Sequence, residues 1–383
     1  MKVKLGDIFE IGSGGTPSKA HPEYYGGEIP WVKTGDLKSK YLYEAEDFIT
    51  NDGLKNSSAK MYEPDTVLIA MYGATIGATS ILKMFACTNQ ACAAFRKNDK
   101  VIPEFLYYFL KSRKERFIKD GVGGAQPNIS AGYLKKVEIE LPPLEEQQVI
   151  VNILDKASSI ILGKKYEIQL LDELVKARFV EMFGDEKNEL IRLGDVCIKI
   201  TDGTHKTPKY LDRGITFISA KNIVNGELNF SDVKYISEDE YMEIQKRCQT
   251  ELNDILLSKS GSLGEPVIVK SEERLGLFES LAIIKYDRNK LLPEFLCEQL
   301  KTEKIQRQFR TGTKGVAVKH LHLGVIADIG IIVPPIELQN QFSDFVRAID
   351  KSKVNYYYKN RKDGFPPLLF IYSVTTIINL SDY

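Results

Sequence analysis

Residues 12–19 read Gly-Ser-Gly-Gly-Thr-Pro-Ser-Lys, and a glycine-rich run ending in lysine is the kind of loop that can hold a nucleotide phosphate. The local chemistry argues against that use. A Walker loop needs Gly-Lys followed by Ser or Thr and then a helix whose amides face the phosphates. Here Lys19 follows Ser18, Pro17 removes an amide donor, and Tyr24-Tyr25-Gly26-Gly27 ends any helix opened at Pro22. Other reactive groupings are equally sparse. Of the histidines, His320-x-His322 could share one strand face, but no cysteine or carboxylate cluster accompanies the pair as a metal site requires. Neither Asn-Pro-Pro-Tyr nor Asp-Pro-Pro-Tyr, the adenine methyltransferase signature, occurs, and no Gly-x-Gly-x-x-Gly follows a strand. Asp65 and Asp254 read as turn residues. The expectation is a chain with no catalytic centre, metal or cofactor of its own.

Composition agrees with a non-membrane globular protein. The chain has 383 residues, 43% hydrophobic and 27% charged, which suits two domains of ordinary size. Basic and acidic residues balance at 52 each, so nucleic-acid binding would have to rest on a local patch. The opening MKVKLGDIFEIG lacks the apolar core of a signal peptide, and no apolar run reaches the ~18 residues of a membrane span. Five cysteines without a Cys-x-x-Cys pair fit a reducing cytoplasm.

The element that positions everything else is a repeat. Leu5-Gly6-Asp7 recurs as Leu193-Gly194-Asp195, and the opening loop Gly15-Thr16-Pro17-Ser18-Lys19 aligns with Gly203-Thr204-His205-Lys206-Thr207-Pro208-Lys209. Ile29-Pro30-Trp31-Val32 matches Ile215-Thr216-Phe217-Ile218, and Asp65-Thr66-Val67-Leu68-Ile69 matches Asp254-Ile255-Leu256-Leu257. Gly73 and Gly77 answer to Gly261 and Gly264, Pro-Glu-Phe-Leu at 103 recurs at 293, and Leu141-Pro142-Pro143-Leu144-Glu145 recurs as Val333-Pro334-Pro335-Ile336-Glu337. Ordered matches over so long a period mean two similar domains in tandem. Short Val/Ile-rich runs at 66–71, 137–141, 215–219 and 328–333 predict strands, and a helix should open at each Pro-Glu-Phe-Leu with proline in its first turn. Each copy is therefore expected to be a mixed α+β domain.

Between the copies, residues 144–183 predict one helix, with Glu145-Glu146 in its first turn and Gly184 as its stop. A heptad frame places Ile150, Leu154, Ala157, Ile161, Lys164, Ile168, Leu171, Val175, Arg178 and Met182 on one seam, and eight of the ten are apolar. Such a seam asks for a partner helix. The second copy starts one: Ile349-Asp350-Lys351 matches Leu154-Asp155-Lys156, but the match stops after Lys353, and Gly364 with Pro366-Pro367 bars a long continuation. The expected boundaries are 1–142 for the first domain, 143–185 for the long helix, 186–333 for the second domain, 334–353 for a truncated second helix, and 354–383 for a divergent tail.

Basic residues gather at matching places. Lys111, Arg113, Lys114, Arg116 and Lys119 follow the first Pro-Glu-Phe-Leu against Glu115, and Lys301, Lys304, Arg307, Arg310, Lys314 and Lys319 follow the second against Glu303. Cations there would contact phosphates and give salt-sensitive affinity. Beside each patch lies a glycine-rich polar loop, 121–128 with Gln126 and Asn128, and 311–315 with Lys314. Gln and Asn can pair with adenine and Lys with guanine.

The ordered set of Leu-Gly-Asp starts, a Gly-x-Thr-Pro loop, Pro-Glu-Phe-Leu and Pro-Pro-Leu-Glu-Glu-Gln-Gln, split by one long helix, resembles the specificity subunit of type I restriction–modification systems over residues 1 to about 353. The resemblance implies two target recognition domains, each reading half of a split sequence in double-stranded DNA. It implies an antiparallel pair of long helices that spaces them by one to two DNA turns of ~34–36 Å. Catalysis would lie elsewhere: two modification subunits that bind S-adenosylmethionine and methylate a flipped adenine, and restriction or motor subunits using ATP and Mg. On this reading Thr16, Ser18, Lys19, Tyr72, Thr75, Lys206, Thr207, Lys209, Ser260 and Ser262 become DNA-facing candidates. The seam from Ile150 to Met182 becomes a helix-pairing and partner-docking line. The shortened second helix implies an alternative, an inactive or phase-variable copy acting mainly as a scaffold.

Overall fold

The computed structural model describes residues 2–121, 128–184, 189–312 and 320–362, with side chains described as far as Lys353. Two compact units result, one built on Met1–Lys165 and the other on Tyr166–Tyr358. Both follow the same α+β plan. The first has a five-stranded sheet in the spatial order Ile11–Ser13, Cys92–Phe95, Val67–Ala70, Thr79–Leu82, Tyr41–Leu42. The second repeats four of these as Cys197–Asp202, Leu281–Tyr286, Ile255–Ser258, Pro266–Ile268. Beside each lies a parallel pair: Tyr25–Val32 with Ala86–Thr88, and Ile215–Ile218 with Leu275–Leu277. A two-stranded ribbon ties the start of each repeat to the strand before its long helix, Lys2–Lys4 with Glu138–Glu140 and Ile191–Arg192 with Gly330–Ile331.

The central strands are short apolar runs because both of their faces are covered. Successive side chains alternate across a strand. Thus Val67, Ile69, Ala93 and Phe95 join Phe105, Leu106 and Phe109 of the helix Pro103–Ser112 in one core, while Leu68, Ala70, Cys92 and Ala94 enter another with Val32 and Tyr62. The second unit splits Ile255 and Leu257 from Leu256 in the same way.

The register differs by one residue from the sequence alignment in two places. Asp65 and Asn253 both take left-handed backbone, each with φ 69°, so they are the matching turn residues; Asn and Asp tolerate that region best after glycine. Asp254 instead aligns with Thr66 and is 1% exposed; its Oδ2 accepts from Glu251 N at 2.8 Å, closing the turn, and from Lys285 Nζ at 2.6 Å, so the turn residue is also one half of a buried ion pair. Likewise Gly14, not Gly15, matches Gly203: a Cβ at these positions would lie 1.8 Å from Thr88 O and 2.1 Å from Leu277 O. The glycines of the opening loop exist for this close approach of backbones, not to cradle a phosphate.

The long helix spans Leu144–Phe183, 40 residues, as its sequence implies. A fully buried glutamine fixes its entry. Gln147 Nε2 donates to Lys100 O and Pro142 O, each at 2.9 Å, and its Oε1 accepts from Ile102 N at the cap of the Pro103–Ser112 helix. Gln339 makes the same three bonds, to Lys290 O, Pro334 O and from Leu292 N. The second long helix is Ile336–Lys362, 27 residues, so the expected end at 353 is corrected. No proline or glycine interrupts residues 354–362; the breakers begin at Gly364, and residues 363–383 lie outside the described residues.

Inside the second unit the two long helices run antiparallel. Phe179 and Phe183 pack on Phe342 at ring separations of 5.4 and 5.6 Å, Arg178 lies over Phe345, and Lys353 Nζ reaches Asp172 at 2.6 Å. Phe295 completes the aromatic cluster. All of the seam positions Ile150, Leu154, Ala157, Ile161, Ile168, Leu171, Val175 and Met182 are buried or half-buried, whereas Ile160, Leu162, Tyr166, Leu170 and Leu174 stand exposed on other faces.

Candidate nucleic-acid interface

In each unit three loops and one strand end meet at the edge of the sheet. Backbone hydrogen bonds place them identically. Gly15 N donates to Thr88 O as Thr204 N does to Leu277 O, and Asn89 N to Val32 O as Phe278 N does to Ile218 O. Ile129 N donates to Met71 O as Leu321 N does to Lys259 O. Position by position, Thr16 therefore matches His205, Gln90 matches Glu279, Tyr72 matches Ser260, and Asn128 matches His320. Beneath them Met71 matches Lys259, and the sheet register pairs Ser13 with Asp202.

The side chains at these positions differ in kind. In the first unit Thr16 Oγ1 donates to Gln90 Oε1, and Tyr72, 43% exposed, is bridged through its backbone to the exposed Asn128. No charged side chain belongs to this group. In the second unit the group is ionic. Lys259, 2% exposed, and Arg247 both bond to the carboxylate of Asp202, 3% exposed. His205 Nε2 lies 3.4 Å from Asp202 Oδ1, and its Nδ1 lies 2.5 Å from Glu279 Oε2. Burial alone would raise the Asp202 carboxyl, but the bonds and charges of Lys259 and Arg247 outweigh it and hold the carboxyl below its usual range. Burial, and then the Lys259 charge, lowers the pKa of His320.

The other candidates distribute around this edge. Ser18 and Lys19 are exposed, and Ser18 Oγ accepts from Ala20 N in a local turn. Thr75 Oγ1 donates to Tyr72 O, stiffening the glycine loop. Lys206 and Thr207 are exposed; Lys209 N donates to Glu240, which anchors the loop backbone and leaves the ammonium outside. Ser262 O accepts from Ser258 Oγ, so its carbonyl is engaged. Gln126, Lys314 and Lys319 lie outside the described residues.

The basic helices sit directly beside the glycine loops. A Cβ at Gly77, φ 78°, would lie 2.8 Å from Lys114 Cγ, and one at Gly264, also φ 78°, would lie 2.7 Å from Phe309. Only glycine permits both the left-handed turn and the helix beneath it. Lys111, Lys114 and Arg116 are exposed, while Arg113 is half-buried over the Phe109 ring. Both patches are partly offset: Arg116 lies 3.4 Å from Asp120, and Arg307 and Arg310 both bond to Glu303, which leaves Lys304 as the other exposed cation of the second patch among the described residues.

Sequence reading missed Gln90, His205, Glu279, Arg247, Asp202 and Lys259 as members of this edge. Asp202, His205 and Lys259 adjoin the glycine loops but Gln90, Arg247 and Glu279 lie far from them in sequence, and only a one-residue correction of the repeat register makes Thr16 the counterpart of His205. All five thiols are pushed up to about 12 by burial. The His320 and His322 rings stand 5.7 Å apart, and no set of three His, Cys, Asp or Glu side chains among the described residues could hold a metal ion. No helix among the described residues is long and apolar enough to cross a membrane.

Comparison with known proteins agrees with this geometry. The family model described as type I restriction modification DNA specificity domain matches twice, over residues 1–171 and 185–356. The type I restriction enzyme MjaIX specificity subunit of Methanocaldococcus jannaschii is 28% identical over 92% of this chain and 87% of its own length. The EcoR124I/EcoR124II specificity subunit of Escherichia coli is 30% identical over 43% of this chain and 44% of its own. The crystal structure of a type I restriction–modification S subunit from M. genitalium shares the fold, with TM-score 0.53 and 17% identity, over 99% of this chain and 94% of that one.

Proposed function

Because the chain belongs to the type I restriction modification DNA specificity family, we propose that it reads a split, asymmetric sequence in double-stranded DNA, one half per unit. Its relatives are specificity subunits, the non-catalytic DNA-recognition members of type I systems. The observation that carries the reading is the duplicated edge: one backbone arrangement of loops built twice in one chain, carrying neutral side chains in one copy and ionic ones in the other. A scaffold held constant while its surface chemistry changes is what reading two different half-sites requires. The basic helices beside the glycine loops supply phosphate contacts, which position the protein but carry no sequence information.

Partner subunits complete the activity. Modification subunits holding S-adenosylmethionine methylate an adenine in each half-site, and restriction subunits use ATP and Mg. The long helix offers them a surface: Val149, Ile153, Ile160, Leu170 and Leu174 recur at heptad spacing and are 46–58% exposed. An apolar stripe of this kind on water marks an interaction site.

Methylome sequencing of a host expressing this chain with its modification subunit tests the proposal. The expected result is a single split motif with adenine methylated on both strands. The absence of any motif would favour the inactive, scaffold-like alternative.

A further inference from the structure

The two units act as controls for each other, and they disagree at one costly place. Asp202 and Lys259 are almost fully buried where the first unit holds Ser13 and the 2%-exposed Met71. Taking both charges out of water is costly, and the same fold stands in the first unit without such a pair. The local effect of the pair is to fix what lies above it. Asp202 holds Arg247, 51% exposed, and adjoins His205, 53% exposed, which in turn meets Glu279.

We propose that Glu279 with His205 reads a G·C pair in the second half-site, and that Gln90 with Asn128 reads adenine in the first. The inference rests on the DNA-recognition reading above and names the side chains that carry it. A carboxylate on a polyanion-binding face is repelled by phosphate; His205 engages Oε2 of Glu279, and a donor on a base edge would engage the other oxygen. In the major groove the donor that carboxylates take is the cytosine N4 amino group. His205 holds Glu279 through Nδ1, and Arg247, 51% exposed and 3.4 Å from His205 Nε2, keeps N–H groups suited to O6 and N7 of the paired guanine. The first unit has no such charge: Gln90 and Asn128 present amides, whose donor and acceptor match adenine N6 and N7.

The test is selection of randomised duplexes by the complex of this chain with its modification subunit, using native protein, Glu279→Gln and Gln90→Glu. Native protein is expected to enrich a split motif with cytosine or guanine at a defined position of one half and adenine in the other. Glu279→Gln should reduce the preference at its position by roughly 5- to 150-fold and leave the other half intact. Gln90→Glu should do the converse, and the untouched half in each variant reports that the protein is folded. Native enrichment unmoved by both substitutions overturns the inference while sparing the recognition reading. Loss of both halves in either variant also overturns it, because the residue would then be structural. Failure of native protein to enrich any sequence removes the recognition reading and this inference together.

Discussion

Replacing Lys259 by methionine should be far more harmful than replacing Lys259 and Asp202 together. The single change leaves the Asp202 carboxylate 3% exposed with Arg247 as its remaining strong partner, because Lys259 supplies the other bond. Breaking a buried pair from one side costs about 3–5 kcal/mol, whereas removing both charges is often neutral or stabilising by about 1–4 kcal/mol. The double variant Asp202→Ser/Lys259→Met copies the first unit, where Met71 already fits the equivalent site. Urea unfolding followed by circular dichroism reads the result. With a slope of roughly 2 kcal/mol/M, the single variant should lower the midpoint of the second unit by about 1.5–2.5 M and the double variant should recover most of it. The only tryptophan, Trp31, is buried in the first unit, so its fluorescence transition should stay in place throughout. The sign with pH follows from the depressed Asp202 carboxyl. Its contribution is present above the usual carboxylate value of ~3.9 and is lost as pH falls through its lower folded value, so native protein should lose more stability there than the double variant. A single variant costing less than about 1 kcal/mol, or a double variant as weak as the single, would refute the reasoning.

Three further outcomes are expected. Gln147→Leu and Gln339→Leu should each cost about 2–4 kcal/mol by leaving buried backbone groups unpaired, with similar effects in their separate units, as urea midpoints will show. Ile153→Ser with Leu170→Ser should change stability by no more than about 0.5 kcal/mol each, since both side chains are exposed, yet weaken co-purification with the modification subunit. Neutralising Lys111, Lys114 and Arg116 should lower the salt dependence of DNA binding, by about 0.9 in the log–log slope for each phosphate no longer neutralised, without changing the preferred sequence; an altered motif would assign these residues to base reading.

Sequence alone determined the elements whose signals are local or repeated. The tandem copies were legible because Leu-Gly-Asp, Pro-Glu-Phe-Leu and the Pro-Pro helix starts recur in order, and the long helix because its caps and heptads lie within one continuous stretch. The seam could be read from spacing, since 3.5-residue periodicity fixes which side chains share a face. The repeat does not locate the end of the second helix, because the copies diverge after Lys353 while the helix continues to Lys362 through residues that contain no breaker before Gly364. What only the tertiary structure decided is the edge where function is proposed. Thr16 meets Gln90 across 74 positions, and Asp202 meets Lys259 across 57. Sheet register sets such partners, and a one-residue slip in register sends every side chain to the opposite face. The sequence alignment slipped by one at Gly14 and at Asp65, so it could name the loops but not which side chains face one another across them.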